Sequence, residues 1–212
     1  LERVIGRGRS GTVFLARHLG LDEERAIKRV RRTESGFIQE AALLKRLRHP
    51  GIPIIYDLEI DENYYYLIEE YLCGESLYAR IERTGSLQTG ELIRLGIELC
   101  RIMNYLHSFK PNPILYLDLH PGNLLICREQ LKLIDFDQAA LASLSQERSV
   151  CYGTKGFAAP EQYEGGTLDE RTDIYAIGAL LYYMGTGHAP EGEIKAGQGS
   201  CWGDLYILMG RC

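Results

Sequence analysis

Residues 115–137 read LYLDLHPGNLLICREQLKLIDFD, and they are the most informative part of the chain. It carries three oxygen-bearing side chains, Asp118, Asn123 and Asp135, at spacings of five and twelve residues. They lie between segments that are typical of short β-strands. Oxygen donors arranged in this way are suited to holding Mg²⁺ and a phosphoryl acceptor.

The composition is that of an ordinary globular protein. The 212 residues, 45% hydrophobic and 25% charged, are enough for one large domain or two small lobes. The net charge of −5 disfavours a nucleic-acid surface, which needs clustered Lys and Arg. Six cysteines are scattered without a CxxC motif, so we expect neither zinc nor disulfides, and a reducing compartment.

The sequence predicts no membrane contact by this segment. Its most apolar helical stretch, Ile174–Met184, is far shorter than the ~20 residues that cross a bilayer, so we expect a buried helix. The chain starts at Leu1 without a charged and apolar leader. We therefore expect a cytoplasmic location, with the cytosolic domain of a longer, membrane-anchored protein as the alternative.

The chain changes character near residue 72. Residues 1–72 contain five strand-like segments and a helical stripe from Ile38 to Leu47, which stops at His49-Pro50-Gly51. Residues 73–212 are mainly helical, with apolar side chains recurring at three- and four-residue steps through Leu92–His107. The sequence predicts an α+β fold of two lobes, a small antiparallel sheet with one helix and then a helical lobe. Ligands commonly bind in a cleft between such lobes.

A glycine-rich turn contains Gly6, Gly8 and Gly11. Glycines let backbone N–H groups approach phosphate oxygens, although a GxGxxG pattern alone is a weak signal. A dinucleotide-binding turn requires a helix directly after the glycines, whereas residues 12–15 are typical of a strand. The context favours a strand–turn–strand flap over a nucleotide, with an ordinary hairpin as the alternative.

Further motifs lie on both sides of residues 115–137. They are a lysine in Ala26-Ile27-Lys28 and the segments 153–161 (GTKGFAAPE) and 173–178 (DIYAIG). Together these motifs resemble the protein kinase family, in its bacterial serine/threonine branch, over residues 1–187. Because 25 residues follow Gly187, the resemblance predicts that the end of the helical lobe is incomplete. It implies a transferase that moves the γ-phosphate of Mg·ATP to Ser or Thr hydroxyls of a protein substrate.

The resemblance implies catalytic and metal-binding roles. Asp118 would orient the substrate hydroxyl and accept its proton, while Asn123 and Asp135 would bind Mg²⁺, with Mn²⁺ as an alternative. Lys28 would bind the α- and β-phosphates, fixed by an ion pair with Glu40.

The resemblance implies nucleotide-binding and positioning roles as well. Besides Lys28, the nucleotide would contact Gly6, Gly8, Gly11, the side chains of Val13, Ala26 and Leu125, and the backbones of Glu70 and Leu72. Thr154 would donate a hydrogen bond to Asp118, and Asp173 would hold the backbone of the catalytic loop.

Four departures from the family pattern bear on function. Tyr116-Leu117 replaces His-Arg, which makes activation by loop phosphorylation a weaker expectation. His120 stands in the catalytic group where the family has Lys, so transition-state charge is expected to be less well compensated. Asp137 replaces the Gly of DFG, tolerates positive φ better than most residues and adds a negative charge. Glu69 lies at the back of the pocket, where we expect it to compete with Glu40 for Lys28.

Two alternatives stay open besides the serine/threonine protein kinase. The departures favour a pseudokinase, a nucleotide-binding scaffold, against which the retention of Lys28, Asp118, Asn123 and Asp135 weighs. The wording DLHPGN also occurs in small-molecule phosphotransferases, against which the segment 153–161 weighs. Tyrosine specificity is disfavoured by Gly153-Thr154.

Overall fold

The computed structural model describes residues 1–8, 11–33, 37–145 and 153–191, without the side chains of residues 39, 40, 144 and 145. The described strands are β1 (Arg3–Arg7), β2 (Thr12–His18), β3 (Glu23–Arg31), β4 (Ile55–Ile60), β5 (Tyr64–Glu70), β6 (Glu75–Ser76), β7 (Ile114–Leu115), β8 (Leu124–Cys127), β9 (Gln130–Leu133) and β10 (Ala140–Leu141). The described helices are α1 (Phe37–Leu44), α2 (Leu77–Thr84), α3 (Thr89–His107), α4 (Ala142–Ser145), α5 (Pro160–Glu164) and α6 (Glu170–Thr186), with a 3₁₀ turn at Pro121–Asn123.

The first five strands form one antiparallel sheet in the order β1-β2-β3-β5-β4. Strand β3 is central, and its register places Ala26 opposite Glu69 and Lys28 opposite Leu67. Ala26 and Lys28 are both buried, as the alternation along this strand predicts. Helix α1 packs on the sheet, where Phe37 stacks on Tyr65 with ring centroids 5.4 Å apart.

Helices form most of the secondary structure in the described chain after β5. The apolar face predicted for α3 is buried, and α6 is buried nearly all round. The two helices approach closely at Gly96, where a Cβ atom would lie 2.9 Å from a methyl group of Leu181. Each fully buried leucine in this core contributes about 1.5–3 kcal/mol. The α+β class, with a small sheet and one helix followed by helices, is confirmed. The division at residues 72 and 73 lies between β5 and β6 and stays a prediction.

The hairpin of β8 and β9 separates Asn123 from Asp135 in the sequence. The amide of Ile134 donates to the carbonyl of Asn123 at 2.9 Å, and the amide of Leu133 donates to the carbonyl of Gly51 at 2.8 Å. The first bond brings the residues before and after the hairpin together, and the second joins the hairpin to the segment at Gly51. Asn123 and Asp135, twelve residues apart in sequence, therefore meet at one end of it.

None of the described helices has both the length and the apolar character that a bilayer-spanning segment needs.

Candidate active site

A cleft lies between the sheet and the β8–β9 hairpin. Eight residues that the sequence assigns to the nucleotide or metal site line it: Val13, Ala26, Lys28, Glu70, Leu72, Asn123, Leu125 and Asp135. Further lining residues were missed: Ile5, Leu44, Pro53, Tyr71, Ile134 and Phe136. Most of these are apolar, and nothing in a single sequence distinguishes an apolar wall from an apolar core.

The three predicted glycines lie in the β1–β2 hairpin and are not part of the cleft wall. A Cβ atom on Gly11 would come 2.4 Å from the carbonyl oxygen of Arg29. Close packing against β3 is therefore a sufficient reason for a glycine at this position. A Cβ atom on Gly8 would meet nothing within 4 Å. The role of the flap in nucleotide binding therefore stays a prediction.

Lys28 is 6% exposed and faces two carboxylates of residues 135–137, which we call the DFD segment. Its ammonium donates to Asp135 Oδ1 at 3.0 Å and contacts Asp137 Oδ1. The backbone of Glu40 lies in α1, but its side chain is outside the described part of the structure. The predicted pair of Lys28 and Glu40 therefore stays a prediction.

Within the DFD segment, Asp135 has a left-handed backbone conformation, with a φ of 61°. Asp137, the residue in which we expected tolerance of positive φ to matter, is not among the described residues with positive φ. The turn at Asp135 brings the carboxylates of residues 135 and 137 to the same ammonium. Burial raises the pKa of Asp135, Lys28 opposes this effect, and Asp137 adds to it.

We expect Asp137→Gly to tighten ATP binding in the absence of metal about tenfold. The substitution removes a negative charge that repels the phosphates and that contacts Lys28. Isothermal titration calorimetry would measure the change in Kd. Asp22→Gly, which removes an exposed carboxylate paired with Arg17, is the matched control. An unchanged or weaker affinity in Asp137→Gly would show that Asp137 does not oppose the nucleotide.

Glu69 lines the back of the cleft and is half-buried. Burial raises the pKa of its carboxyl to about 7, Lys28 opposes this effect, and Asp135 and Asp137 reinforce it. The folded protein therefore binds a proton at Glu69 more tightly than the unfolded chain does. The associated stability is complete below the ordinary pKa of 4.5 and is lost as the pH rises through about 7.

We expect Glu69→Gln to gain stability over the wild type as the pH rises from 5 to 8. Since 1.36 kcal/mol corresponds to one pKa unit, the gain approaches about 3 kcal/mol at the upper end. Thermal unfolding of both proteins across this range would measure it. Glu59→Gln, at an exposed carboxylate on β4, is the matched control. A constant difference between Glu69→Gln and the wild type would contradict the raised pKa.

Asp118 is held from two sides beside the cleft. Thr154 Oγ1 donates to its Oδ1 at 2.9 Å, and Asn123 Nδ2 donates to its backbone carbonyl at 3.0 Å. The predicted hydrogen bond between Thr154 and Asp118 is thus confirmed. His120 Nε2 lies 3.8 Å from Asp118 Oδ2. Of the predicted catalytic side chains, Asp118, Thr154 and His120 thus lie together, and Lys28 lies in the adjoining cleft.

The backbone before Asp118 is fixed by a buried carboxylate. Asp173 accepts hydrogen bonds from the amides of Tyr116 and Leu117 and lies next to His107 Nε2, each at 2.9 Å. The predicted role of Asp173 is therefore confirmed. Leu117 has a φ of 65°, and its carbonyl accepts from Gln162 Nε2 at 2.8 Å. Sequence reasoning missed Gln162, because a glutamine that follows Ala-Pro-Glu has no signal of its burial.

Tyr116 ties the catalytic loop to the DFD segment. Its hydroxyl lies 2.5 Å from the carbonyl of Ile134 and 2.9 Å from that of Asp135, to which it donates. Its ring meets Phe136 edge to face, with centroids 5.2 Å apart. Burial raises the pKa of Tyr116, so the hydroxyl stays a donor. The sequence pointed to Tyr116 as a departure from the family but not to this contact.

The residues predicted for metal binding fit a magnesium ion. Asn123 and Asp135 offer amide and carboxylate oxygens on the same cleft wall, the donor type that Mg²⁺ and Mn²⁺ prefer. Asp135 Oδ1 already binds one cation, the ammonium of Lys28. The cleft thus combines two oxygen-bearing side chains with a buried lysine.

Comparisons with known proteins agree with this geometry. The family model of the protein kinase domain matches residues 1–199. Serine/threonine-protein kinase PrkC of Bacillus subtilis is 35% identical over 203 residues, which cover 90% of this chain and 31% of PrkC. Serine/threonine-protein kinase pkn3 of Myxococcus xanthus is 30% identical over 210 residues, 90% of this chain and 38% of that protein. Aurora kinase B of Danio rerio is 30% identical over 198 residues, 90% of this chain and 61% of that protein. The chain therefore spans about a third of the length of the two bacterial relatives.

Proposed function

Because the chain belongs to the protein kinase family, we propose that it transfers the γ-phosphoryl group of ATP to serine or threonine hydroxyls of proteins. One observation carries this proposal. The Asp118 carboxylate accepts a hydrogen bond from Thr154 and lies next to a cleft that is lined by Lys28 and Asp135. The names of the bacterial relatives support serine and threonine as acceptors.

Binding of ATP follows from the lining of the cleft. The adenine lies between Val13 and Ala26 on one side and Leu125 on the other, and the backbone of residues 70–72 binds its polar edge. Lys28, buried and already facing carboxylates, turns its ammonium to the α- and β-phosphates. The proposed division into lobes 1–72 and 73–212 places this cleft between them.

The transfer step uses Asp118 as the base. The substrate hydroxyl oxygen attacks the γ-phosphorus, and its proton passes to the Asp118 carboxylate. The bond from the γ-phosphorus to the bridging oxygen breaks, and ADP leaves with the electron pair. Mg²⁺, or Mn²⁺, held by Asn123 and Asp135 would neutralise charge on the phosphates. Thr154 keeps the Asp118 carboxylate in place during this exchange.

We infer that the described segment works in the cytoplasm, where ATP is available. Cys73 and Cys127 are thiols in the described part of the structure, which is compatible with a reducing compartment.

Incubation with Mg²⁺ and γ-labelled ATP, in the presence of a generic protein substrate, tests the proposal. Label on serine or threonine of the substrate or of the enzyme is the expected result. Label on tyrosine would contradict the acceptor class. Label on an aminoglycoside but not on protein would favour a small-molecule phosphotransferase. Absence of any label, with ATP still raising the Tm, would favour the nucleotide-binding scaffold.

A further inference from the structure

Lys28 lies between two carboxylates that differ in how far they face the cleft. Its ammonium donates to Asp135 Oδ1 at 3.0 Å and contacts Asp137 Oδ1. The side chain of Asp135 is 39% exposed and lines the cleft together with Asn123. That of Asp137 is 19% exposed and is not among the described residues that line the cleft. A ligand that enters the cleft therefore meets Asp135 first, and Asp137 is the more sheltered partner of Lys28.

The backbone around Asp137 is held without help from the Asp135 carboxylate. The hydroxyl of Tyr116 donates to the backbone carbonyl of Asp135 at 2.9 Å, and the buried ring of Phe136 packs edge to face against that of Tyr116. The amide of Ala139 donates to the carbonyl of Phe136 at 3.0 Å, which closes a turn at Asp137. Asp137 therefore keeps its position when the carboxylate of Asp135 changes its partner.

The ammonium of Lys28 and a metal ion would compete for Asp135. Both cations bind carboxylate oxygens, and a buried ammonium that loses its counter-charge is strongly destabilised. An ammonium has three N–H donors, and Asp135 accepts one of them in this structure. When Asp135 binds the metal, this N–H can turn to a phosphate oxygen while another stays on Asp137. The second carboxylate thus lets Lys28 release the first without losing its counter-charge.

We propose that Asp137 is a positioning residue that keeps Lys28 in place while Asp135 binds the metal ion. The inference rests on the nucleotide and metal roles of the proposed function and extends them to a position where the family pattern has glycine. In the wild type, metal and nucleotide strengthen each other's binding, because the release of Asp135 gives the metal a ligand and gives the phosphates an N–H donor. Without a carboxylate at residue 137, Lys28 stays on Asp135 and opposes the metal.

Nucleotide binding with and without metal tests the inference without any turnover. Isothermal titration calorimetry of the whole chain with a non-hydrolysable ATP analogue gives one Kd in EDTA and one in excess Mg²⁺, and the ratio of the first to the second measures the coupling between metal and nucleotide. We expect Asp137→Asn to lower this ratio by about tenfold, within the usual range of such couplings. Asp22→Asn, at an exposed carboxylate paired with Arg17, is the matched control and should leave the ratio unchanged. An unchanged ratio in Asp137→Asn would overturn the inference.

A double-mutant cycle separates the positioning of Lys28 from a direct attraction between Asp137 and the metal. Lys28→Met has no ammonium to position, so Asp137→Asn should change the ratio far less in that background than in the wild type. An equal fall in both backgrounds would show that the Asp137 carboxylate acts on the metal itself, and the inference would be wrong.

NMR of the wild type gives a test that does not depend on the folding of any variant. Addition of Mg²⁺ and the ATP analogue should move the carboxyl ¹³C signal of Asp135, which exchanges an ammonium for a metal. The signal of Asp137, which keeps its partner, should stay near its metal-free position. The exposed Asp22 supplies the reference signal and should not respond. Equal movement of the Asp135 and Asp137 signals would show that both carboxylates change partners, contrary to the inference.

The inference and the proposed function fail separately. A fall of the ratio in Glu40→Gln with none in Asp137→Asn would transfer the positioning of Lys28 to α1 and overturn the inference alone. A wild type that shows the expected coupling and carboxyl signals but transfers no phosphate would overturn the proposed function and leave the inference in place. A wild type that binds no nucleotide would overturn both.

Discussion

Asp118→Asn is expected to lower kcat by about 10²–10⁴-fold, the range that a positioned general base contributes. The substitution keeps the shape of the side chain and an oxygen that can accept from Thr154, but removes the basic oxygen that takes the substrate proton. Nucleotide binding should change little, because Asp118 is not part of the cleft wall. The loss should therefore appear in kcat and not in the Kd for ATP.

Phosphotransfer and ATP binding measured on the same preparation would test this expectation. Asp57→Asn is the matched control, since Asp57 is an exposed carboxylate on β4 whose Oδ1 accepts a local hydrogen bond from the amide of Leu58. It should keep full activity. A kcat within about tenfold of the wild type in Asp118→Asn would exclude Asp118 as the base, given the range above.

The local part of the fold could be predicted from the sequence because it depends on local patterns. Strand β2 was predicted as residues 12–18, where alternation is clear and both neighbours are strands. Helix α1 was expected to continue to Leu47 but ends at Leu44. The chain continues as a turn in which Leu47 N donates to Leu44 O at 3.0 Å, so the apolar periodicity persists beyond the helix.

The partners of the charged residues could not be predicted in the same way. Lys28 and Asp137 are 109 residues apart, and their contact depends on the left-handed turn at Asp135. Periodicity indicates which face of a strand is buried, but not which distant loop covers that face. The motif at 115–137 could predict that Asn123 and Asp135 share one site, because only the short β8–β9 hairpin separates them. The contacts of Tyr116 and Gln162 depend on how separate segments pack.

Asp173→Ala is expected to lower the free energy of unfolding by about 3–5 kcal/mol, because it leaves buried amides without their charged acceptor. Asp173 is 1% exposed. Its carboxylate accepts hydrogen bonds from the amides of Tyr116 and Leu117 and lies against the ring of His107. For a chain of this size such a loss lowers the Tm by roughly 6–20 °C. The catalytic loop would also lose the bond that helps to keep Leu117 at positive φ, so kcat should fall in the surviving folded fraction.

Asp169→Ala in the same helix separates this effect from helix capping. Asp169 is the N-cap of α6 and accepts from the amide of Arg171 at 2.8 Å, but its side chain is 30% exposed. Loss of a cap of this kind costs about 1 kcal/mol. Thermal and urea unfolding should therefore give a clearly lower Tm and a clearly lower free energy of unfolding for Asp173→Ala than for Asp169→Ala. Equal losses would mean that Asp173 acts only through the start of α6, and the link from the central helix to the catalytic loop would carry no stability of its own.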